Sequence, residues 1–202
     1  MELIYGKNAV HEALKSNRKA YEIYIKKDLN ADNIIDLVKK KKIKIISISK
    51  KELDRLVGEK HQGVALKVDG YSYKSLEYIL ENKKGQYPLI MLLDCIEDPH
   101  NLGAILRTAD AAGADGIIIP RHNSAGLNST VAKVSTGAIE YVAVAQVANL
   151  NRVIDQLKKN GFLIVGSDAS GSKRYNEINY KCPVALIIGS EGRNIRQLIK
   201  ES

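Results

Sequence analysis

Leu89-Ile90-Met91-Leu92-Leu93 is a run of five apolar residues without polar alternation, closed by Asp94. A strand buried on both faces reads this way, and such strands belong to parallel sheets covered on both sides by crossover helices. Toward the C-terminus the pattern predicts a helix over 101–112, a strand over 116–119 and a helix near 130–135. Strand 141–145, helix 149–159, strands 162–166 and 184–188, and a helix over 194–201 follow. Five strands with intervening helices imply an α/β fold with a mostly parallel, doubly wound sheet. Ligands of such sheets sit in loops at the C-terminal strand ends. That singles out 94–101, 120–128, 167–172 and 189–193.

Toward the N-terminus the units are shorter. Ala9, Val10, Ala13 and Leu14 line one helical face, and residues 21–25 alternate as a strand. A helix over 31–42 carries Ile34, Ile35, Leu37 and Val38, and a strand follows over 43–48. Ser49 with Glu52 three residues on makes a capping box for a helix ending at Val57. His61-Gln62-Gly63 then leads into a strand over 64–68. The expected division is a small α/β module over 1–70, a linker over 71–87 with turn and charged residues clustered at its end, and a larger domain over 88–202.

Composition narrows the function. The 202 residues, 45% hydrophobic and 27% charged, suffice for a proper core without disulfides or a structural metal. Cys95 and Cys182 are too few for a disulfide scaffold and read as reduced thiols. The first residues lack the basic-then-apolar order of a signal peptide, and no apolar run reaches the roughly 20 residues that span a bilayer. The expectation is a cytoplasmic chain with no membrane partner. Net charge is +8, and residues 1–70 hold 16 basic against 10 acidic side chains. Most of the excess thus sits in the first third, as in a module that meets a polyanion; lysine-rich solvated helix faces would give the same balance.

Two loops concentrate functional side chains. The first runs Asp94-Cys95-Ile96-Glu97-Asp98-Pro99-His100-Asn101-Leu102-Gly103-Ala104-Ile105-Leu106-Arg107-Thr108-Ala109. Asn101 suits a helix N-cap. Arg107 sits among small residues, where a structural ion pair competes with a functional role. The second runs Ile187-Ile188-Gly189-Ser190-Glu191-Gly192-Arg193-Asn194. Its glycines let a ligand approach the backbone at a helix start, although an ordinary strand-to-helix turn needs them too. Four scattered histidines offer no metal spacing, no Gly-x-Gly-x-x-Gly is present, and Cys95 near His100 reads as a small buried residue. Tyr71 and Tyr73 suit packing between domains better than stacking on bases.

Taken together, four segments resemble one family. Asn101–Ala109 is similar to motif 1 of the SpoU/TrmH RNA 2′-O-ribose methyltransferases, and Ala185–Gly192 to motif 2. Lys133–Ala138 resembles the family's Ser-x-Gly-Ala segment. His61-Gln62-Gly63 resembles the end of the substrate-binding domain in the two-domain branch that includes the 23S rRNA guanosine methyltransferase. The resemblance implies an L30e-like RNA-binding domain followed by a SPOUT domain, which binds S-adenosylmethionine in a C-terminal trefoil knot and works as a homodimer. It implies catalytic roles for Asn101, Arg107 and Glu191. It places the cofactor against Gly189, Ser190 and Gly192 on one side and Ser167, Asp168 and Ala169 on the other. No metal is implied. The RNA is a guanosine of 23S rRNA, or alternatively a tRNA. Motif 3 and the helix after it find no counterpart before Ser202, so the knot is expected to be incomplete. An RNA-binding chain without activity is the corresponding alternative.

Overall fold

The structure is a computed structural model and describes residues 1–168, 171, 173–190, 195, 196 and 199. Two units make up the chain. The first comprises Met1–Ser72, Gly103–Arg107 and Leu127–Tyr141; the second comprises Tyr73–Leu102, Thr108–Gly126 and Val142–Ser202.

In the first unit, β1 (Glu2–Tyr5), β2 (Ala20–Lys26), β3 (Lys44–Ile48) and β4 (Val64–Val68) form a sheet of order β1-β4-β2-β3. β4 runs antiparallel to both neighbours, whereas β2 and β3 are parallel because α2 (Asp32–Lys40) provides the crossover between them. Ile4 and Ile23 both register against Leu66, and this row is fully buried. β1 escapes the sequence pattern because it is only four residues long. α1 (Lys7–Lys15) buries Ala9, Val10, Ala13 and Leu14, the expected stripe. α3 (Lys50–Val57) begins with the expected capping box: Ser49 Oγ accepts the Glu52 N–H, and the Glu52 carboxylate accepts the Ser49 N–H at 2.8 Å.

The segment Leu127–Tyr141 carries α6 (Ser129–Val134), capped by the Asn128 side chain, and then a 3-10 turn over Ala138–Glu140. Gly137 enters that turn at φ +99°, and a Cβ there would lie 2.5 Å from the side chain of Glu12. Only glycine satisfies both conditions. The turn presents Glu140, almost fully buried, to Arg18 at 3.0 Å. Arg18 also donates to Glu2 and to the Asp69 carbonyl, and stacks on the Tyr71 ring at 3.5 Å. Tyr71 completes the cluster by donating its hydroxyl to Glu140. Burial, with the Glu140 charge beside it, pushes that phenol far above its usual range.

The second unit is a five-stranded sheet of order β7-β6-β5-β9-β8, parallel throughout. Its strands are β5 (Leu89–Asp94), β6 (Gly116–Pro120), β7 (Val144–Val147), β8 (Leu163–Ser167) and β9 (Val184–Gly189). α4 (Leu76–Glu81) and α7 (Leu150–Lys159) cover one face, where Ile79, Val153, Ile154 and Leu157 pack with Ile90, Leu92, Ala185 and Ile187. Gly116 admits Ile79 to within 2.7 Å of where a Cβ would stand. β7 starts three residues later than the pattern suggests, because residues 141–143 lead out of the 3-10 turn in turn and irregular backbone. The predicted final helix falls mostly outside the described residues, though Ile195 and Ile199 are buried in this core.

Candidate active site at the C-terminal edge of the parallel sheet

All five strands are parallel, so Asp94, Pro120, Val147, Ser167 and Gly189 end on one edge. From β5 the chain winds outward to β6 and β7, then returns to the other side as β8 and β9. The crevice between β5 and β9 is therefore the topological switch point, where open α/β sheets bind their ligands. Asp94 registers against Gly189, and Ser167 against Ile188. Three adjacent strand ends, about 4.8 Å from one another, thus bring the predicted Ser167, Asp168, Gly189 and Ser190 to one place. Glu191, Gly192 and Ala169 lie outside the described residues.

An open groove of about 660 Å³ runs along the sheet from this edge. Val165, Leu186 and Ile188 give it an apolar floor, and Tyr87, Tyr180, Gly166, Ser167 and Asp168 also line it. Its size falls within the range of small-molecule sites. Gly189 and Ser190 end the neighbouring strand without lining the groove.

The exit of β5 is held by bonds that the sequence did not announce. Asp94, fully buried, accepts from the Arg196 side chain at 2.8 Å and from the Arg196 backbone N–H at 2.9 Å. Hydrogen bonding to Asp94 raises the already high pKa of Arg196, so its charge is secure. Cys95 turns the chain at φ +59°, and burial, reinforced by the Asp94 charge, pushes its thiol upward and away from nucleophilic use. The Ala125 N–H donates to the Ile96 carbonyl at 2.7 Å and ties loop 120–128 to the same edge. The sequence shows one half of this clamp, a carboxylate ending an otherwise apolar strand, but its partner 102 residues on leaves no local signal.

α5 (Pro99–Ala111) carries the predicted motif 1 side chains. The helix starts two residues earlier than expected, because Asp98 caps it by accepting the His100 N–H at 2.8 Å and Pro99 takes the first helical position. Asn101 is therefore an exposed residue of the first turn and not the N-cap. Arg107 follows six residues on, about 9 Å further along the axis and roughly 120° around it. It is exposed, and among the described residues no carboxylate pairs with it. The ion-pair reading of Arg107 is not realised there. Gly103, between them, lets α6 approach: a Cβ would lie 2.7 Å from Val134 Cβ and 3.2 Å from the Ser135 nitrogen. Ser135 itself is buried and bonded to the Ala132 carbonyl. Among the described residues no cluster of His, Cys, Asp and Glu could hold a metal ion, and no helix is long and apolar enough to cross a membrane.

Residues 88–202 match the SpoU rRNA methylase family, and residues 3–74 match the RNA 2′-O ribose methyltransferase substrate-binding family. The chain belongs to the SpoU/TrmH family of RNA methyltransferases. It is 44% identical over 205 residues to YacO of Bacillus subtilis, which is assigned to the TrmH family of tRNA/rRNA methyltransferases; the match covers 99% of this chain and 82% of that protein. A TrmH-family relative from Staphylococcus haemolyticus is 40% identical, with 98% and 82% covered. Among solved structures, the SpoU methyltransferase AviRb of Streptomyces viridochromogenes, in complex with AdoMet, superposes with a TM-score of 0.83 at 22% identity, covering 98% of this chain and 77% of AviRb. An AdoMet-bound rRNA methyltransferase of Sinorhizobium meliloti gives 0.80 at 23% identity, covering 100% and 75%. At these identities the likeness establishes the fold. The SpoU/TrmH methyltransferase fold thus accounts for the parallel sheet.

Proposed function

We propose that the protein transfers a methyl group from S-adenosylmethionine to a ribose 2′-hydroxyl of RNA, with a guanosine of 23S rRNA as the favoured target. The observation that carries this reading is Arg107: a motif 1 guanidinium, exposed and without a carboxylate partner among the described residues. The substrate-binding match over residues 3–74 and the basic excess of residues 1–70 support an RNA substrate.

The groove fits the cofactor's chemistry. A flat adenine suits the floor of Val165, Leu186 and Ile188, and Ser167 and Asp168 offer acceptors for ribose hydroxyls. Gly189 and Ser190 supply backbone at the neighbouring strand end, with Glu191, Gly192 and Ala169 assigned to the same site. Bound there, the cofactor supplies a methyl group already activated on a sulfonium. What remains for the chain is alignment and relief of the 2′-hydroxyl proton. A guanidinium stays protonated, so Arg107 acts as a donor: it clamps the adjacent phosphate and stabilises negative charge as it develops on the 2′-oxygen. Asn101 and Glu191 shape the site around it. The hydroxyl proton leaves to solvent as the carbon–oxygen bond forms, and the methyl–sulfur bond would break to leave a neutral thioether, S-adenosylhomocysteine. We further propose that the enzyme works as a homodimer, for which light scattering would give twice the 22.3 kDa chain mass.

The test is methyl transfer from radiolabelled S-adenosylmethionine to 23S rRNA and tRNA transcripts, followed by alkaline hydrolysis. A 2′-O-methylated nucleotide cannot form the cyclic phosphate, so label is expected in an alkali-resistant dinucleotide from 23S rRNA. Label in alkali-released mononucleotides would contradict ribose methylation. Label in tRNA alone would shift the substrate, and retention of RNA without any transfer would favour a purely RNA-binding role.

A further inference from the structure

His61 is buried and bonded at both ring nitrogens. Its Nδ1 accepts the Gly63 N–H at 2.8 Å, so Nε2 carries the proton and donates it to Asp54 at 2.9 Å. Gln62 between them is exposed and held at φ +54°, a left-handed conformation that is costly for a residue with a side chain. Its Oε1 accepts the Lys7 N–H at 2.8 Å and so caps the start of α1. The Ser-x-Gly-Ala segment begins at the same place. Lys133 of α6 donates to the Lys60 carbonyl, and its Cγ lies 3.9 Å from where a Gly6 Cβ would stand. All these residues belong to the first unit.

Three lysines thus meet around Gln62: Lys7, Lys60 and Lys133. Among the described residues no carboxylate pairs with any of them. Burial, with the Lys60 charge beside it, holds Lys133 below the ordinary lysine range. Like charges gathered without a counter-charge repel one another, and an anion placed among them relieves that cost. From Lys7 a polar groove of about 520 Å³ continues between the starts of α1 and α2. Asn8, His11, Asn30 and Asn33 line it with donors and acceptors, and Asp32 is its one acidic lining residue. A phosphate is therefore favoured beside the lysines and repelled by Asp32, whereas a base or ribose edge suits the amides of the groove.

We propose that an unpaired RNA nucleotide seats in this groove while its flanking phosphates lie on Lys7, Lys60 and Lys133. This rests on the reading that the chain acts on RNA. Bases inside an A-form duplex are largely out of reach of side chains, whereas an unpaired base can be splayed into a groove. Lys39 and Lys40 stand at the opposite end of α2, about 12 Å along its axis, and line no part of the groove. They provide the control.

A radiolabelled 23S rRNA transcript is titrated by filter binding at about 50 and about 200 mM KCl, with an unlabelled single-stranded oligoribonucleotide or an RNA duplex as competitor. Lys7→Gln and Lys133→Gln are each expected to weaken binding about three- to tenfold at the lower salt, with little change in unfolding temperature. Each should also reduce the slope of log K against log salt by about 0.7. Lys40→Gln should change affinity less than about twofold, and the single strand should compete more strongly than the duplex. Equal losses in all three variants would show a diffuse field of charge. Unchanged affinity in Lys7→Gln and Lys133→Gln would leave these lysines a structural role alone, and equal competition by the duplex would remove the unpaired nucleotide. Each of these results would overturn the proposal. Should Lys133→Gln not fold, Lys7→Gln decides, because Lys7 is exposed. If the unmodified chain retains neither 23S rRNA nor tRNA transcripts, the RNA reading itself fails and the proposal with it.

Discussion

Arg18 shows how far a single side chain organises the first unit. It is almost fully buried, yet every direction of its guanidinium is used: Glu140 at 3.0 Å, Glu2 at 3.2 Å, the Asp69 carbonyl at 2.7 Å and the face of Tyr71. Arg18→Ala leaves Glu140 buried with only the Ser16 and Tyr71 hydroxyls as donors. The expected loss is about 3 kcal/mol, the lower end for breaking a buried pair. Arg18→Lys should recover only part of it, because an ammonium cannot reproduce the fork or the stacking. Urea unfolding of the variants measures both; a loss under about 1 kcal/mol would place the pair with ordinary surface bridges. The same cluster explains why Tyr71 was hard to read from the sequence. Packing is the favoured reading over RNA stacking, but only the fold shows that the partner is Arg18, beneath its ring.

At the scale of elements, close approach decides what the small residues are for. Gly103 sits in the middle of α5, where alanine would improve helix propensity by up to about 1 kcal/mol. A Cβ there would nevertheless meet Val134 Cβ at 2.7 Å, and overpacking of that kind costs about 1–3 kcal/mol. The clash wins, so Gly103→Ala is expected to lower the melting temperature by roughly 2–6 °C. A rise in melting temperature would show that α6 yields without cost. Most elements were legible because their signals are local: the stripe of α1, the capping box of α3, the apolar run of β5. Three features were not. β1 is too short to show alternation, the start of α5 is set by Asp98 and Pro99 in place of Asn101, and the Asp94–Arg196 clamp joins residues 102 positions apart in the chain. Non-local pairing leaves no periodic trace in a sequence.

Across the whole molecule, charge sets the response to acid. Glu22 and Glu52 are held below the usual carboxylate range by hydrogen bonds from Lys67 and from Ser49. Burial raises Glu12, but hydrogen bonds from Tyr141 and His11 outweigh it, so it too is lowered. A carboxylate lowered in the folded state contributes stability that is present above its ordinary value near 4.5 and lost as pH falls through its folded value. All three lie in the first unit, whose residues 1–70 already carry the basic excess. Urea midpoints for this unit should therefore hold above pH 5 and fall as acid is added below about pH 4.5. A flat profile to pH 3 would contradict these couplings.

The account as a whole stands on Arg107 being an exposed donor that serves chemistry and not packing. The most direct test compares methyl transfer to 23S rRNA by the unmodified chain and by Arg107→Ala, with the unfolding temperature of each. Loss of one such preorganised donor is expected to slow transfer by about 10²–10³-fold, with the unfolding temperature unchanged. Near-normal transfer by Arg107→Ala would contradict the central claim, as would a loss of transfer that merely follows a loss of fold.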